Sequence, residues 1–519
     1  MNTVHPLREE MRNRLLRRVD WRFLLPNPCP EKTICLAKDE LADAVALISK
    51  RVVFSPSDAL ADCELGVAIE PDKKMLGSLW QALRPGGFLY MEWYSPLRAN
   101  ALSIQRHLST IGFEEMELYF AWPPPPRAQP QFWLPLQAPG ALRYFLSHRP
   151  RDKSRRHQFA RKVLQELWRA LVRLGVAFPI LALARKPEHQ NVPSRSIVES
   201  ANREGNGLAH QCSSSLLLTG GRRSINKIVR VVFDNRTEQP SAVIKSSRVA
   251  ESQAGLLREM NVLKTLAALK PDIQGVPRVL FCREHCNSVS VGETVLTGVP
   301  VYSILNHSNL HDIALRATEW LTELPRTPRP VPKAHWWDRL IEPVLGDFHA
   351  SFTRVIDEGM FDETRAILAS LGALSLVCEQ RDFSPWNVHI ATSGELFVLD
   401  WESAELEGLP ALDLIYFLTY LCFFHDGALE SGHIVESYRN MLNPMTHHSA
   451  VWSECVGHYL SELGIDSVML RPLRLFAWLL HSRSEVQQLA ADEGGAPRLD
   501  ALQRSLFFTL WQQELGASL

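Results

Sequence analysis

The sequence lacks three features that would assign the protein to a specialised class. Its net charge is only −1, from 56 basic and 57 acidic residues, which argues against a general nucleic-acid binder. None of its nine cysteines forms a C-x-x-C pair, so we expect reduced thiols and a cytoplasmic location rather than a zinc or disulfide framework. No apolar run reaches the length of a membrane span, and no apolar leader core follows the arginine-rich start.

The length and the composition predict a multidomain globular protein. At 519 residues, 46% hydrophobic and 22% charged, the chain is too long for a single core. Residues 1–20 predict a basic amphipathic helix, which either packs on the next domain or rests on an anionic membrane surface. Residues 188–210 are polar and weakly periodic, and they predict a linker between two main parts.

Residues 21–187 alternate short strand-like and helix-like runs, a pattern that predicts an open α/β sheet. The runs ALRPGGFLYMEW (82–93) and LALARKP (181–187) resemble segments of class I S-adenosylmethionine-dependent methyltransferases. That family binds its cofactor at a glycine-rich turn after the first strand, where this chain has AKDELADA. The resemblance therefore implies a methyltransferase-like domain without its cofactor; an active methyltransferase is the alternative.

Two further segments of this part have less regular patterns. Residues 121–140 contain seven prolines and predict an extended, stiff loop. The basic run at 149–162 precedes an apolar helical pattern at 163–174, and predicts either the solvated start of a helix or a patch that attracts phosphate.

From about residue 211 the pattern changes to that of a nucleotide-binding lobe. Two predicted strands flank a turn that contains Gly220 and Gly221, and backbone N–H groups of such a turn can bind phosphates, although many hairpins carry glycine pairs. The apolar strand Ala242–Lys245 ends in lysine, and the apolar helix that follows carries Glu259. A lysine paired with a helical glutamate is the arrangement that holds nucleotide phosphates in kinase-like folds.

The stretch from 377 to 402, VCEQRDFSPWNVHIATSGELFVLDWE, predicts a strand, a loop and a second strand with three pointed polar residues. Asp382 begins the loop, Asn387 follows five residues later, and Asp400 ends the next apolar run. Phosphoryl transfer from a metal-bound nucleotide needs one carboxylate to orient the acceptor hydroxyl, and an amide with a second carboxylate to hold magnesium. An ordinary hairpin with a polar loop is the alternative interpretation.

This D-x-x-x-x-N loop followed by V-L-D-W resembles the aminoglycoside phosphotransferase / choline kinase family, a branch of the protein-kinase-like fold. The resemblance implies an α+β bilobal domain, with an N-lobe at 211–298 and a helical C-lobe at 299–519. It implies transfer of the γ-phosphate of ATP, with Mg2+, to a hydroxyl of a small polar metabolite or natural product. The residues that it assigns are Asp382 as base, Asn387 and Asp400 as metal ligands, Lys245 and Glu259 at the phosphates, and the backbone of Thr294 and Leu296 at the adenine edge.

One departure from the family lies directly before the predicted base. Relatives carry His-Gly there, whereas this chain has Gln380 and Arg381. Glutamine can still form hydrogen bonds, but the change keeps open a catalytically silent nucleotide-binding module. A protein kinase is disfavoured because D-F-G and A-P-E are missing and the span from Asp400 to Asp413 leaves no room for an activation loop. We expect Asp413 to cap the next helix and to brace the loop.

Overall fold

The computed structural model describes residues 9–58, 61–94, 100–125, 128–147, 179–188, 213–220, 227–285, 288–493 and 496–516. They separate into two compact units. The first unit comprises Met1–Met260 and Arg278–Val295, and the second comprises Asn261–Pro277 and Leu296–Leu519. The domain boundaries predicted from the sequence stay predictions.

Twelve strands of the first unit form one mixed sheet. They are β1 (Lys32–Cys35), β2 (Arg51–Val53), β3 (Cys63–Ile69), β4 (Leu83–Trp93), β5 (Glu114–Trp122), β6 (Phe132–Pro135), β7 (Ile180–Arg185), β8 (Ser213–Leu218), β9 (Ile228–Asp234), β10 (Pro240–Ser246), β11 (Val279–His285) and β12 (Ser288–Glu293). Their order across the sheet is β11-β12-β10-β9-β8-β6-β5-β7-β4-β3-β1-β2. Strands β1 to β4 are mutually parallel, and every other neighbouring pair is antiparallel.

The described helices that begin in this unit are α1 (Glu9–Arg18), α2 (Asp39–Ile48), α3 (Lys73–Ala82), α4 (Ala101–Ile111), α5 (Pro139–Ser147) and α6 (Gln253–Leu269). Their ends follow from local capping. Asp72 accepts a 2.7 Å hydrogen bond from the N–H of Met75 and starts α3, and Asn100 forms a capping box with Ser103 at α4. Gly112 ends α4 at a φ of +108°, a left-handed conformation that favours glycine.

The prediction of a loop over 121–140 is wrong at its centre. Phe132–Pro135 forms β6, which pairs with β5 on one side and with β8 on the other. Proline is compatible with this strand because Pro135 is its last residue. Trp133 is buried, and its apolar packing favours the strand although the surrounding sequence is rich in proline. β6 thereby joins the strands before and after it into one sheet.

The basic N-terminal helix packs on this sheet. Arg18 forms a bidentate ion pair with Glu92, with N–O distances of 2.5 and 2.7 Å, and both side chains are buried. Directly after α1, Asp20 binds the guanidinium of Arg248 at 3.0 Å, again in a buried pair. Charges committed to buried partners are not presented to lipid, so the membrane alternative has no support from these contacts.

The second unit is mostly helical. Its helices are α7 (Val301–Ile304), α8 (Leu310–Thr322), α9 (Glu342–Phe352), α10 (Glu358–Ala369), α11 (Leu412–Asp426), α12 (Ala428–Ser431), α13 (Ile434–Leu442), α14 (His447–Leu463), α15 (Leu470–Glu493), α16 (Leu499–Gln503) and α17 (Leu506–Gly516). Two small sheets accompany them: β13 (Val299–Pro300), β15 (Val388–Ile390) and β16 (Leu396–Val398) form one, and β14 (Val377–Glu379) with β17 (Glu405–Gly408) forms the other. None of the described helices has both the length and the apolar content needed to cross a bilayer.

The basic and apolar patterns predicted at 149–174 lie outside the described residues, as does all of the predicted linker at 188–210 except its first residue. The apolar pattern at 502–515 predicts one helix, but the structure has two, because α16 ends at Gln503 and Oγ of Ser505 accepts the N–H of Phe508 at the start of α17. The apolar run at 414–424 predicts a buried helix, and this prediction is confirmed by α11, which is buried along nearly its whole length.

Candidate active site

The predicted hairpin is present in the second unit, and its two strands hold the ends of the polar loop together. β15 and β16 pair with Val388 opposite Val398, and the N–H of Leu399 donates to the carbonyl of Asn387 at 3.0 Å. The loop between β14 and β15 folds on itself through a 2.9 Å bond from the N–H of Val388 to the carbonyl of Ser384. Asn387 and Asp400 therefore lie at adjacent ends of paired strands.

The side chain of Gln380 connects the loop before β15 with the residues that follow β16. Its amide nitrogen donates to the carbonyls of Leu399 and Asp400, at 3.0 and 2.6 Å, and its amide oxygen accepts the N–H of Asp382 at 2.7 Å. The side chain is completely buried, so these bonds face no competition from water. Glutamine thus links the backbone of the predicted base to the backbone of the predicted metal ligand.

The side chains of Asp382 and Asn387 are brought into direct contact. The amide nitrogen of Asn387 donates to Oδ2 of Asp382 at 2.7 Å and to the carbonyl of Asp382 at 3.1 Å. With its nitrogen engaged in this way, the amide of Asn387 has its oxygen left to bind a cation. Both side chains are only partly buried, so they are accessible to a ligand.

Arg381 occupies a backbone conformation that suits the glycine of the relatives. Its φ is +67°, in the left-handed region. Asp413 holds the turn by accepting the N–H groups of Gln380 and Arg381, at 2.6 and 2.8 Å, as the sequence predicted of a bracing residue. The prediction that Asp413 also caps α11 is wrong, because the N-cap position is Ala411 and no side chain caps this helix. The guanidinium of Arg381 lies 3.1 Å from the buried carboxylate of Glu379. Two backbone bonds and one buried ion pair offset the strain of this conformation.

Burial raises the pKa of Asp413 to about 8, and the neighbouring Glu379 adds to the rise, while the two backbone donors oppose it. Burial also raises the pKa of Glu379, against the attraction of Arg381. The carboxylates beneath the loop are therefore poorly solvated and depend on their partners.

An aromatic group covers the side of the loop that faces α11. Trp386 packs perpendicular to Tyr420 at 4.9 Å, and the ring of Tyr416 stacks on His481 at 3.8 Å. Burial, followed by the charge of Arg381, lowers the pKa of His481 to about 3. His481 is therefore a neutral, buried part of this wall and does not face the acceptor as a charged group.

Acid should weaken the fold through His481. In an unfolded chain histidine titrates near 6.5, so between about pH 6.5 and pH 3 only the unfolded state binds this proton, and stability falls as pH falls through that window. The unfolding free energy, measured by urea titration at pH 7 and at pH 5, should fall between these pH values in the wild type. In His481→Phe this fall should be about 2 kcal/mol smaller. His433→Phe, at an exposed position, should lose as much unfolding free energy between these pH values as the wild type does. If His481→Phe also loses as much as the wild type, the argument from burial is wrong.

In the first unit, Lys245 and Glu259 form the predicted pair. Nζ of Lys245, on β10, lies 2.5 Å from Oε1 of Glu259, on α6. Nζ of Lys227 reaches the other oxygen at 3.0 Å, and Lys245 also lies 3.0 Å from Oε2 of Glu293. Burial disfavours ionisation of Glu259, but the two lysines outweigh it and lower its pKa to about 2. Glu293 shows the opposite shift, because burial and the charge of Glu259 raise its pKa.

Lys227 and Glu293 are the members of this cluster that the sequence did not reveal. In the ladder between β10 and β12, Lys245 lies opposite Val291 and Val243 lies opposite Glu293, so Glu293 is a diagonal neighbour of the lysine. A two-residue period places both side chains on one face, but the register that aligns them is set by the turn and the packing. An acidic residue at the end of an apolar strand was the available signal.

The positions of the remaining predicted binding residues give little support for their predicted roles. Gly220 is exposed at the end of β8, and Gly221 lies outside the described residues. The N–H of Thr294 donates to the carbonyl of Arg278 at 2.9 Å, so this N–H serves the fold of the lobe rather than a ligand. Leu296 follows in the second unit. Lys245 and Glu259 thus lie in the first unit, and Asp382, Asn387 and Asp400 lie in the second.

Comparison with known proteins assigns a family to this part of the chain. Residues 223–440 match the family described as phosphotransferase enzyme family. This region is a phosphotransferase-family domain. The family prediction made from the hairpin is therefore confirmed for the C-terminal part, together with its protein-kinase-like fold. No curated protein matches the chain.

Among solved structures, this chain is similar to aminoglycoside phosphotransferases. The enzyme APH(3'')-Id from Streptomyces rimosus ATCC10970, in complex with ADP and streptomycin, is 16% identical, with 50% of this chain and 90% of that chain covered and a TM-score of 0.31. The streptomycin-ATP-APH(2")-IIa complex is 12% identical, with 62% and 99% covered and a TM-score of 0.36. A thermostable mutant of APH(4)-Ia is 13% identical, with 59% and 96% covered and a TM-score of 0.36.

Proposed function

We propose that the phosphotransferase domain transfers the γ-phosphate of ATP to a hydroxyl of a small polar molecule. Asp382 would accept the proton of that hydroxyl as it attacks the phosphorus, and the bond from the phosphorus to the bridging oxygen of ADP would break. Lys245, held by Glu259, would bind the phosphates. The match to the phosphotransferase enzyme family supports this reaction class.

The observation that carries the proposal is the set of hydrogen bonds made by Gln380. It replaces the histidine of the relatives, the change that had favoured a silent binding module. Its donor and acceptor atoms nevertheless support both Asp382 and Asp400. A loop whose base and metal ligand are both braced is arranged for transfer as well as for binding, which favours the enzyme over the silent module.

The donor set suits magnesium. Hard divalent ions prefer carboxylate and amide oxygens, and Asp400 and Asn387 offer one of each at neighbouring strand ends. The amide nitrogen of Asn387 is engaged by Asp382, which orients its oxygen for a ligand. Magnesium bound there would supply positive charge against the phosphates of the nucleotide.

Binding of Mg-ATP tests these ligands directly. Asp400→Ala should weaken Mg-ATP binding at least about tenfold in isothermal titration, because a metal ligand supports the phosphates. Asp312→Ala, with an exposed side chain in the same unit, should bind as the wild type does. Failure of the wild type to bind Mg-ATP, or equal binding by Asp400→Ala, would reject the proposal. If the wild type binds Mg-ATP as expected, a screen of ATP consumption over hydroxylated metabolites would identify the acceptor.

We also propose that residues 21–187 are a methyltransferase-like domain without its cofactor. The parallel order β2-β1-β3-β4, bordered by antiparallel β7, supports an open α/β sheet of this kind. A cavity of about 550 Å³ lies beyond the ends of β1, β2 and β3, where such sheets bind ligands, but Lys38 stands there in place of the glycines that a close backbone approach needs.

We also propose a cytoplasmic location for the protein. Cys35, Cys63, Cys378, Cys422 and Cys455 are thiols in the structure, and burial is the main cause that raises the pKa of each of them. Buried reduced thiols persist in a reducing compartment. This assignment is independent of the reaction.

A further inference from the structure

A second polar cluster lies where α11 ends and α14 begins. Nδ1 of His425 is 3.0 Å from Oδ1 of Asp426 and 3.0 Å from Nε2 of His448, and the distance from Nε2 of His448 to Oδ1 of Asp426 is 3.2 Å. In the part of the chain that the structure describes, this is the one group of three histidine, cysteine or acidic side chains close enough to share a cation. The three atoms form a nearly equilateral triangle.

Hydrogen bonds cannot satisfy all three edges of this triangle. Each imidazole offers at most one proton from the ring nitrogen concerned, and the ionised carboxylate offers none. If both imidazoles donate to Asp426, two N–H groups meet across the 3.0 Å edge between His425 and His448. If one imidazole donates to the other, a nitrogen lone pair faces the carboxylate. Every assignment of protons leaves one close contact repulsive, whereas a central cation makes all three attractive.

The size of the triangle fits a divalent transition-metal ion. For bonds of about 2.1 Å, neighbouring ligand atoms are about 3.0 Å apart in an octahedral site and about 3.4 Å apart in a tetrahedral site. The observed separations of 3.0 to 3.2 Å fall in this interval. Two imidazole nitrogens and one carboxylate oxygen are a typical ligand set for zinc, with an open position for water.

The surroundings prepare the three side chains for this role. The side chain of His425 is only 6% exposed, and that of His448 only 16%. Nε2 of His425 is buried with no hydrogen-bond partner in the described part of the chain, so the polar contacts of this ring are those of Nδ1, with Asp426 and His448. Oγ of Ser437 donates to Oδ2 of Asp426 at 2.6 Å and holds the carboxylate with Oδ1 toward the two rings.

We propose that His425, Asp426 and His448 bind one divalent transition-metal ion, best matched by zinc. The ion would join the end of α11 to the first turn of α14. The site shares no residue with the proposed magnesium ligands, so it stands or fails independently of the proposed phosphotransfer. Its expected effect is on stability, because a metal that binds the folded chain and not the unfolded one raises the unfolding temperature.

The test is zinc stoichiometry in the untagged full chain after treatment with a chelator. We expect equilibrium dialysis against micromolar zinc to give one more bound ion per chain for the wild type than for His448→Ala or His425→Gln. Cobalt in place of zinc should give visible d–d absorption that both variants lose. His433→Ala, an exposed histidine in the same unit, should bind as the wild type does.

Two results would overturn the proposal. The first is equal zinc stoichiometry in the wild type, His448→Ala and His425→Gln, since any zinc would then be bound elsewhere. The second is a wild type that retains no zinc and whose unfolding temperature zinc does not raise. Metal-free unfolding temperatures and Mg-ATP binding of both variants show whether each has kept its fold, which separates loss of the ligand from loss of structure.

Discussion

Exchange of Asp382 for asparagine should reduce kcat for phosphate transfer by about 10²–10⁴-fold, the contribution typical of a general base. The amide of asparagine can still accept the 2.7 Å bond from Asn387, so the loop should keep its shape. Binding of Mg-ATP should change little, because the base contacts the acceptor rather than the metal. The measurement is acceptor-dependent ADP release with a compound found in the metabolite screen, alongside the Kd for Mg-ATP.

Asp312→Asn makes the same chemical change at an exposed position of the same unit and should leave kcat unchanged. If Asp382→Asn transfers phosphate at the wild-type rate, Asp382 is not the base. If it loses Mg-ATP binding together with turnover, its role is in the nucleotide site instead.

Gln380→Glu should produce the largest loss of stability among changes at the loop. The new carboxylate keeps the shape of the side chain, but when ionised it has no proton for the carbonyls of Leu399 and Asp400. Each buried polar group left without its partner costs about 1–3 kcal/mol, so we expect the unfolding free energy in urea to fall by at least about 2 kcal/mol. Because the side chain of Gln380 positions the backbone of both Asp382 and Asp400, kcat should fall as well.

Gln380→His is the matched control, since histidine is the residue of the relatives and offers one donor and one acceptor. It should retain more stability and more turnover than Gln380→Glu. If glutamate is as stable and as active as glutamine, the amide bonds to Leu399 and Asp400 are not what supports the loop.

The local parts of the candidate site could be predicted from the sequence, because the residues that form them are separated by only a few positions. Asp382, Asn387 and Asp400 follow one another along a single hairpin, and the turn that joins them has a fixed length. The pair of Lys245 and Glu259 was also foreseeable, since a strand followed directly by a helix brings both within reach. In each case the contact depends on residues close in the chain.

What the sequence concealed depends on register and on long-range pairing. Glu293 reaches Lys245 only through the alignment of β10 with β12, which no local pattern specifies. Gln380 was interpreted as a departure from the family, because the hydrogen bonds that it makes to residues twenty positions away are invisible in a motif. The prolines around β6 hid a strand whose partner β8 lies far along the chain.

The pairing of β6 with β8 also sets an order in time. A ribosome adds about 5–20 residues per second, and roughly 80 residues separate the end of β6 from the end of β8. The edge of β6 therefore waits about 4–16 s for its partner during synthesis. In that interval the early strands expose an unpaired, apolar edge, which is when the nascent chain is most open to association with other chains and to chaperones. The arrival of β8 closes that edge, and strands β8 to β12 are then added to a sheet that is already in place.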